Sequence, residues 1–503
     1  MRIVVRALVA FGLCLLAVGP VLAGEQVLRV AQVADITNLD PHRAGDIYTA
    51  NVIRQIYNNL VKMNKAMEVQ GDLAERWTNP DDKTWLFMLR KGVKFHNGET
   101  LTAEDVKFTF DRMLAPASKA PGKRLVDVVA TVEAVDAGTV KITTKKPFAP
   151  LLTNLTRYEM AILNKKAVEQ GGADYGKKPV GTGPFLFREH RLGDRVVLAK
   201  FAGYFEGPAK IDQIVYRAIP EDATRVIEIE SGGIDLMFNA PPQDFDRLAK
   251  NPKLAAIEEL FQATMYLGMN LKVKPLDNKL VRQAINYAVD KEAINKAVFF
   301  GRATSSYGPL SPSIWGFDPG LKSVYPFNPQ KAKELLKQAG FPNGFECVIW
   351  TDPRTERKSV AEMIQAYLAQ VGVTAKIEIM EWGKLLAETG KGAKGLFVLG
   401  WTGTGDADGG LHIRFHTSGI GKDHNRNQWG TAELDQLLDS GRTTMDPAKR
   451  KAIYAKIQRI LVEEAPDLFI NISKNLAVAR KELKGFELFP NNINPLYGVS
   501  YGN

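Results

Sequence analysis

The chain has 503 residues, enough for two or three domains with sizeable cores, and its 45% hydrophobic content is ordinary for a globular protein. Its formal charge of +10 is spread along the chain without a nucleic-acid-binding motif, so a solvated basic surface is expected and nucleic-acid recognition is excluded. The two cysteines, Cys14 and Cys347, exclude a disulfide framework. Arg2 and Arg6 precede an uncharged, mostly apolar stretch at 7–19, and Val21-Leu22-Ala23 suits signal peptidase. Residues 1–23 are therefore expected to be a signal peptide cleaved after Ala23, which would leave Cys347 alone as a buried structural thiol. Leu13 before Cys14 argues against a lipid anchor, and no later stretch approaches the length of a membrane span. A periplasmic location is the expectation.

In chain order, Val27–Ala31 predicts a strand that runs into the loop Asp35–Pro41, and residues 46–60 carry Val52, Ile53, Ile56 and Leu60 on one helical face. Trp85, Phe87 and Leu89 alternate with Leu86, Met88 and Arg90 as a half-buried strand does, and Asn97-Gly98 supplies a turn. Thr102 with Asp105 three residues on forms an acidic variant of the capping box, before a helix with Val106, Phe110 and Met113 inward. Val180-Gly181-Thr182-Gly183-Pro184-Phe185 fixes a tight path, followed by strands at 185–187 and 195–198. Beyond about residue 266, helices and strands alternate. Leu280–Phe300 reads as one helix with Val281, Ile285, Ala288, Val289 and Ala297 inward. Asn328-Pro329 starts a second, ended by Gly340. Ser359–Val371 is a third, with the strand Thr374–Ile379 after Gly372, and Asp446-Pro447 opens a fourth that runs to Ala465. This order indicates an α/β fold.

The stretch LAERWTNPDDKTWLFMLRKGVKFHNGETLTAEDVKFTFDRM, residues 73–113, resembles the signature of cluster-five extracellular solute-binding proteins of ABC importers, as does the 180–185 segment. That family includes dipeptide-, oligopeptide-, glutathione- and nickel-binding proteins. The resemblance implies a type II periplasmic-binding-protein fold with two main α/β lobes around a ligand cleft and an inserted third lobe. It places lobe I at 24–60, 176–265 and 480–503, lobe II at 61–175 and lobe III at 266–479. It further implies a monomer that captures a small peptide or peptide-like solute by hinge closure and delivers it to a membrane permease, with no cofactor and no enzymatic activity. No hydrolase, P-loop or dinucleotide motif is present.

Candidate contacts fall in three loops. Leu399 to Gly410 joins an apolar run to a Gly-rich turn carrying Trp401, Thr402, Thr404, Asp406 and Asp408. In peptide-binding relatives the corresponding turn holds an Asp that receives the ligand ammonium. Here that position is Thr404, which cannot neutralise such a charge. Either Asp406 replaces it or the ligand is held differently, and both aspartates also suit helix capping. Trp401 is expected to cover ligand with its ring. Asp352 to Lys358 holds Arg354 and Arg357; the resemblance favours Arg357 as the grip on a ligand carboxylate. In the Asp35–Pro41 loop, Thr37 and Asn38 could face a ligand or simply form the turn. His412, His416 and His424 are the only concentration of histidines. His412 and His416 share a helix face, which with Asp406 and Asp408 keeps a nickel or other metal complex as the alternative cargo, although surface histidines are the expected reading and no metal ligands are assigned.

Overall fold

The strand Val27–Gln32 buries Leu28, Val30 and Ala31 and pairs in parallel with both Gln213–Ala218 and Leu236–Phe238. This is the centre of a mixed sheet of 12 strands in a computed structural model that describes residues 25–422 and 424–502. The expected signal peptide lies outside the described residues. The hairpin Phe185–Arg191 and Arg195–Lys200 extends the sheet beside Gln213–Ala218. Helix Ile47–Ile56, capped by Asp46 accepting from Thr49 N, packs into the same core. It stops at Ile56, short of the expected residue 60, because the 180–185 segment closes on its end: the Gly183 N–H donates to Ile56 O at 2.8 Å. A Cβ on Gly181 would stand 2.0 Å from Ile56 O, so this crossing admits only glycine.

The signature segment lies in a separate four-stranded antiparallel sheet built from Ala74–Asp81, Thr84–Leu89, Thr139–Thr144 and Val129–Asp136. Trp85, Phe87 and Leu89 point into its core, beneath helix Ala103–Leu114 with Val106, Phe110 and Met113. The Asp105 carboxylate accepts from Thr102 N at 3.0 Å, as the capping spacing predicts.

The remaining core joins the parallel strands Glu346–Thr351, Thr374–Ile379 and Leu396–Thr402 to helices on their faces. Three expected elements change here. The helix predicted over 280–300 is two, Lys279–Ala288 and Lys291–Phe299, because Asp290 turns aside to cap the second through Ala293 N at 3.0 Å. Ala297 is consequently exposed instead of inward. The third helix spans Thr355–Ala369, starting ahead of Ser359. The apolar run at 396 stays in a strand through Thr402.

The long strand Asp467–Arg480 belongs to both halves of the sheet. Its first part pairs with Ala263–Met269, and its second part pairs with Leu254–Leu260 and Leu236–Phe238. The chain thus passes between the halves at Phe261-Gln262 and near Asn471–Lys474. No helix among the described residues is long and apolar enough to cross a membrane. Cys347 is half-buried, and burial pushes its thiol up to about 12, which suits a structural role.

Candidate functional site

The two crossing segments form the floor of a cleft of 1220 Å³ between the halves of the sheet. Asp46 and Tyr48, at the start of helix Ile47–Ile56, line one wall with Arg157 and Asn491. Phe300 and the tip of helix Thr355–Ala369, with Arg354 and Glu356, line the other. Charges of both signs therefore face the same space. Phe300 is about half exposed there and sits in the left-handed region at φ 52°, an uncommon conformation for a bulky residue.

Of the two arginines in the 352–358 loop, Arg354 and not Arg357 lines the cleft. Asp352 accepts a two-pronged grip from Arg354, at 2.8 and 2.7 Å, and also binds Arg357 at 2.9 Å. Burial raises the Asp352 carboxyl, but the Arg354 hydrogen bonds and both guanidinium charges outweigh it and hold it below the usual range. The Arg354 side chain is 46% exposed, whereas that of Arg357 is 9% exposed; both lie over the Trp382 ring, at 4.4 and 4.9 Å. Arg357 thus supports Asp352 from beneath, while Arg354, three residues earlier, lines the cleft.

The Gly-rich turn distributes its residues differently from one another. Thr402 is exposed and lines the cleft. Trp401 is half-buried, outside the cleft lining, with Nε1 donating to Gly409 O at 2.9 Å, so its ring staples the turn. Asp406 lies behind the turn. It caps helix Ala407–Phe415 through Asp408 N and accepts from Arg450 at 2.8 and 3.0 Å, so both oxygens are engaged within the buried turn. Asp408 is held in the same way by Arg442, at 2.9 and 3.0 Å. Gly405, at φ 96°, makes the reversal that sends both aspartates inward.

Thr404 lines a narrow side chamber that shares Arg157, Tyr158, Gln262, Asn491 and Ile493 with the cleft. The Thr404 Oγ1 and the Gln262 Oε1 are buried without a protein partner, while Gln262 Nε2 donates to Gly403 O at 3.0 Å. Met63 and Met67 from the inserted lobe close the chamber. The neutral Thr404 hydroxyl and Gln262 Oε1 share this lining with the guanidinium groups of Arg54 and Arg157.

Thr37 and Asn38 do not reach the cleft. Thr37 Oγ1 donates to Asp46 Oδ2 at 2.8 Å, and Asn38 Oδ1 accepts from Asp40 N at 2.8 Å. They shape the loop that positions Asp46. The residues overlooked in the sequence, among them Asp46, Tyr48, Arg157, Gln262 and Asn491, come from segments hundreds of positions apart. Only Asp46 carried a local signal, as the cap of its helix.

Residues 68–422 match the family described as bacterial extracellular solute-binding proteins, family 5 Middle. The chain is 34% identical over 484 residues to the glutathione-binding protein GsiB of Salmonella typhimurium strain LT2, covering 94% of this chain and 93% of that one. Its structure is similar to that of HbpA2 from Haemophilus parasuis, with a TM-score of 0.86 and 30% identity over 95% of this chain and 100% of the other. It is also similar to the periplasmic binding protein DppA from Helicobacter pylori in complex with the peptide STSA (TM-score 0.81, 31% identity, 94% and 98% covered). The chain therefore belongs to family 5 of the bacterial extracellular solute-binding proteins, periplasmic binding proteins of the type II fold that serve ABC importers.

Proposed function

We propose that the protein captures a small peptide or peptide-like solute of the glutathione or dipeptide type and presents it to a membrane permease. The observation that carries this reading is the cleft itself: 1220 Å³ of space where Arg354 and Arg157 face Asp46 and Glu356. A zwitterionic or polyionic solute with amide groups answers both signs at once. The relatives named for glutathione and for a peptide ligand support the same class. In this reading the halves of the sheet close about Phe261-Gln262 and Asn471–Lys474, with ligand contacts favouring the closed state. Among the described residues no histidine lines the cleft, which gives the nickel-complex alternative no support from that lining.

Thermal-shift titration with glutathione, dipeptides and tripeptides tests the assignment. Stabilisation by at least one of them, weakened about tenfold or more by Arg354→Ala, is expected. Absence of any shift at millimolar ligand would overturn the peptide reading.

A further inference from the structure

Two histidines converge away from the cleft. His412 and His416 lie one turn apart at the C-terminal end of helix Ala407–Phe415, with rings stacked 4.6 Å apart. Helix Ala432–Thr443 packs alongside and brings Asp439 to them, Oδ1 at 3.2 Å from His412 Nε2 and Oδ2 at 3.6 Å from His416 Nε2. One ligand atom from each residue lies within 4.8 Å of the others. We propose that His412, His416 and Asp439 form a binding site for a divalent transition-metal ion of the zinc or nickel class, separate from the solute cleft.

The donor chemistry fits such an ion: two imidazoles and one carboxylate suit borderline metals better than calcium or magnesium, which prefer all-oxygen cages. Both histidines are mostly covered, with side chains 13% and 16% exposed, whereas Asp439 is 55% exposed and leaves room for solvent to complete the coordination. The carboxylate comes from the facing helix, not from Asp406 or Asp408, whose oxygens are committed to Arg450 and Arg442. Ser418 Oγ stands 2.8 Å from His416 Nδ1, placed to accept a hydrogen bond from the N–H that nitrogen carries when Nε2 binds a metal. In the metal-free geometry the Ser418 N–H donates to Nδ1 at 3.0 Å, a contact that gives way on binding. Asp435 stands 3.9 Å from His416 Nε2 but is held by Thr417 N at 2.9 Å, so it adds negative charge without becoming a ligand. The ion would tie together two helices, the second of which reaches the inserted lobe through the Arg442 carbonyl accepting from Ala149 N at 3.0 Å.

The test is calorimetric titration of untagged mature protein, stripped with a chelator and dialysed, using zinc and nickel salts separately. One bound ion per chain is expected, with affinity falling at least about tenfold in Asp439→Asn and in His416→Ala. Circular dichroism in chelator should match the unaltered protein for both variants. No binding of either ion, or binding of equal strength in His412→Ala/His416→Ala, would overturn the site. Glutathione or dipeptide binding by the same variants should be unchanged, which separates failure of this site from failure of the cleft assignment.

Discussion

Asp406 is fully buried, and burial pushes its carboxyl above the ordinary value even though Arg450 grips both oxygens. Removing one partner of such a pair leaves a desolvated charge. Arg450→Met should therefore cost about 3–5 kcal/mol in urea denaturation. A loss under about 1 kcal/mol would show that the pair is not holding the turn. Two buried histidines act in the same sense as the carboxylates held below their ordinary value, such as Asp40 and Asp352, but over a higher pH window. Burial, with Arg112 adding to it for His42, holds His42 and His96 at about 4, against 6.5 for the free side chain. A depressed folded value means that their contribution is complete above 6.5 and is lost as pH falls towards 4. Each removes roughly 3 kcal/mol across that window. Denaturation midpoints measured from pH 7 to 4.5 should fall, and His96→Asn should flatten the slope. An unchanged slope in that variant would refute the assignment of His96.

At the scale of elements, the close crossing of the 180–185 segment over helix Ile47–Ile56 is the least forgiving place in the fold. A Cβ on Gly183 would meet Gln55 O at 2.5 Å, backbone that cannot rotate away. Gly183→Ala should destabilise by about 2–3 kcal/mol, read as a lowered melting temperature, whereas Gly340→Ala, with open space around it, should suffer only the cost of its positive φ. The split at Asp290 gives a milder prediction. Loss of its cap in Asp290→Ala should cost about 1 kcal/mol, and a neutral result would mean the second helix is held by packing alone. The 280–300 pattern was read as one helix because its apolar spacing runs through the break; a single side chain bonding to Ala293 N outcompetes that periodicity.

For the whole molecule, capture as proposed would bend the shared strand Asp467–Arg480 and the Phe261-Gln262 segment. Small-angle scattering should show a smaller radius of gyration with bound solute, and an identical profile would rule out hinge closure as the capture mechanism. By itself the sequence determined whatever rests on neighbours along the chain. The α/β alternation, the Asn328-Pro329 start and Gly340 stop, the buried face of Trp85, Phe87 and Leu89, and membership of the family could all be read from local pattern and fixed spacing. It also marked the 352–358 and 401–408 loops as places of unusual chemistry. Only the tertiary structure decided which side chains there face the cleft. Arg354 and Arg357 are chemically equal, and packing against Trp382 and Asp352 buries one and leaves the other in the cleft. Asp406 was conspicuous in sequence, yet its partner Arg450 lies 44 residues on, and an ion pair over that separation leaves no trace in local spacing. Gln262, Tyr48 and Asn491 share one cleft for the same reason: folding, not sequence proximity, sets which polar groups converge.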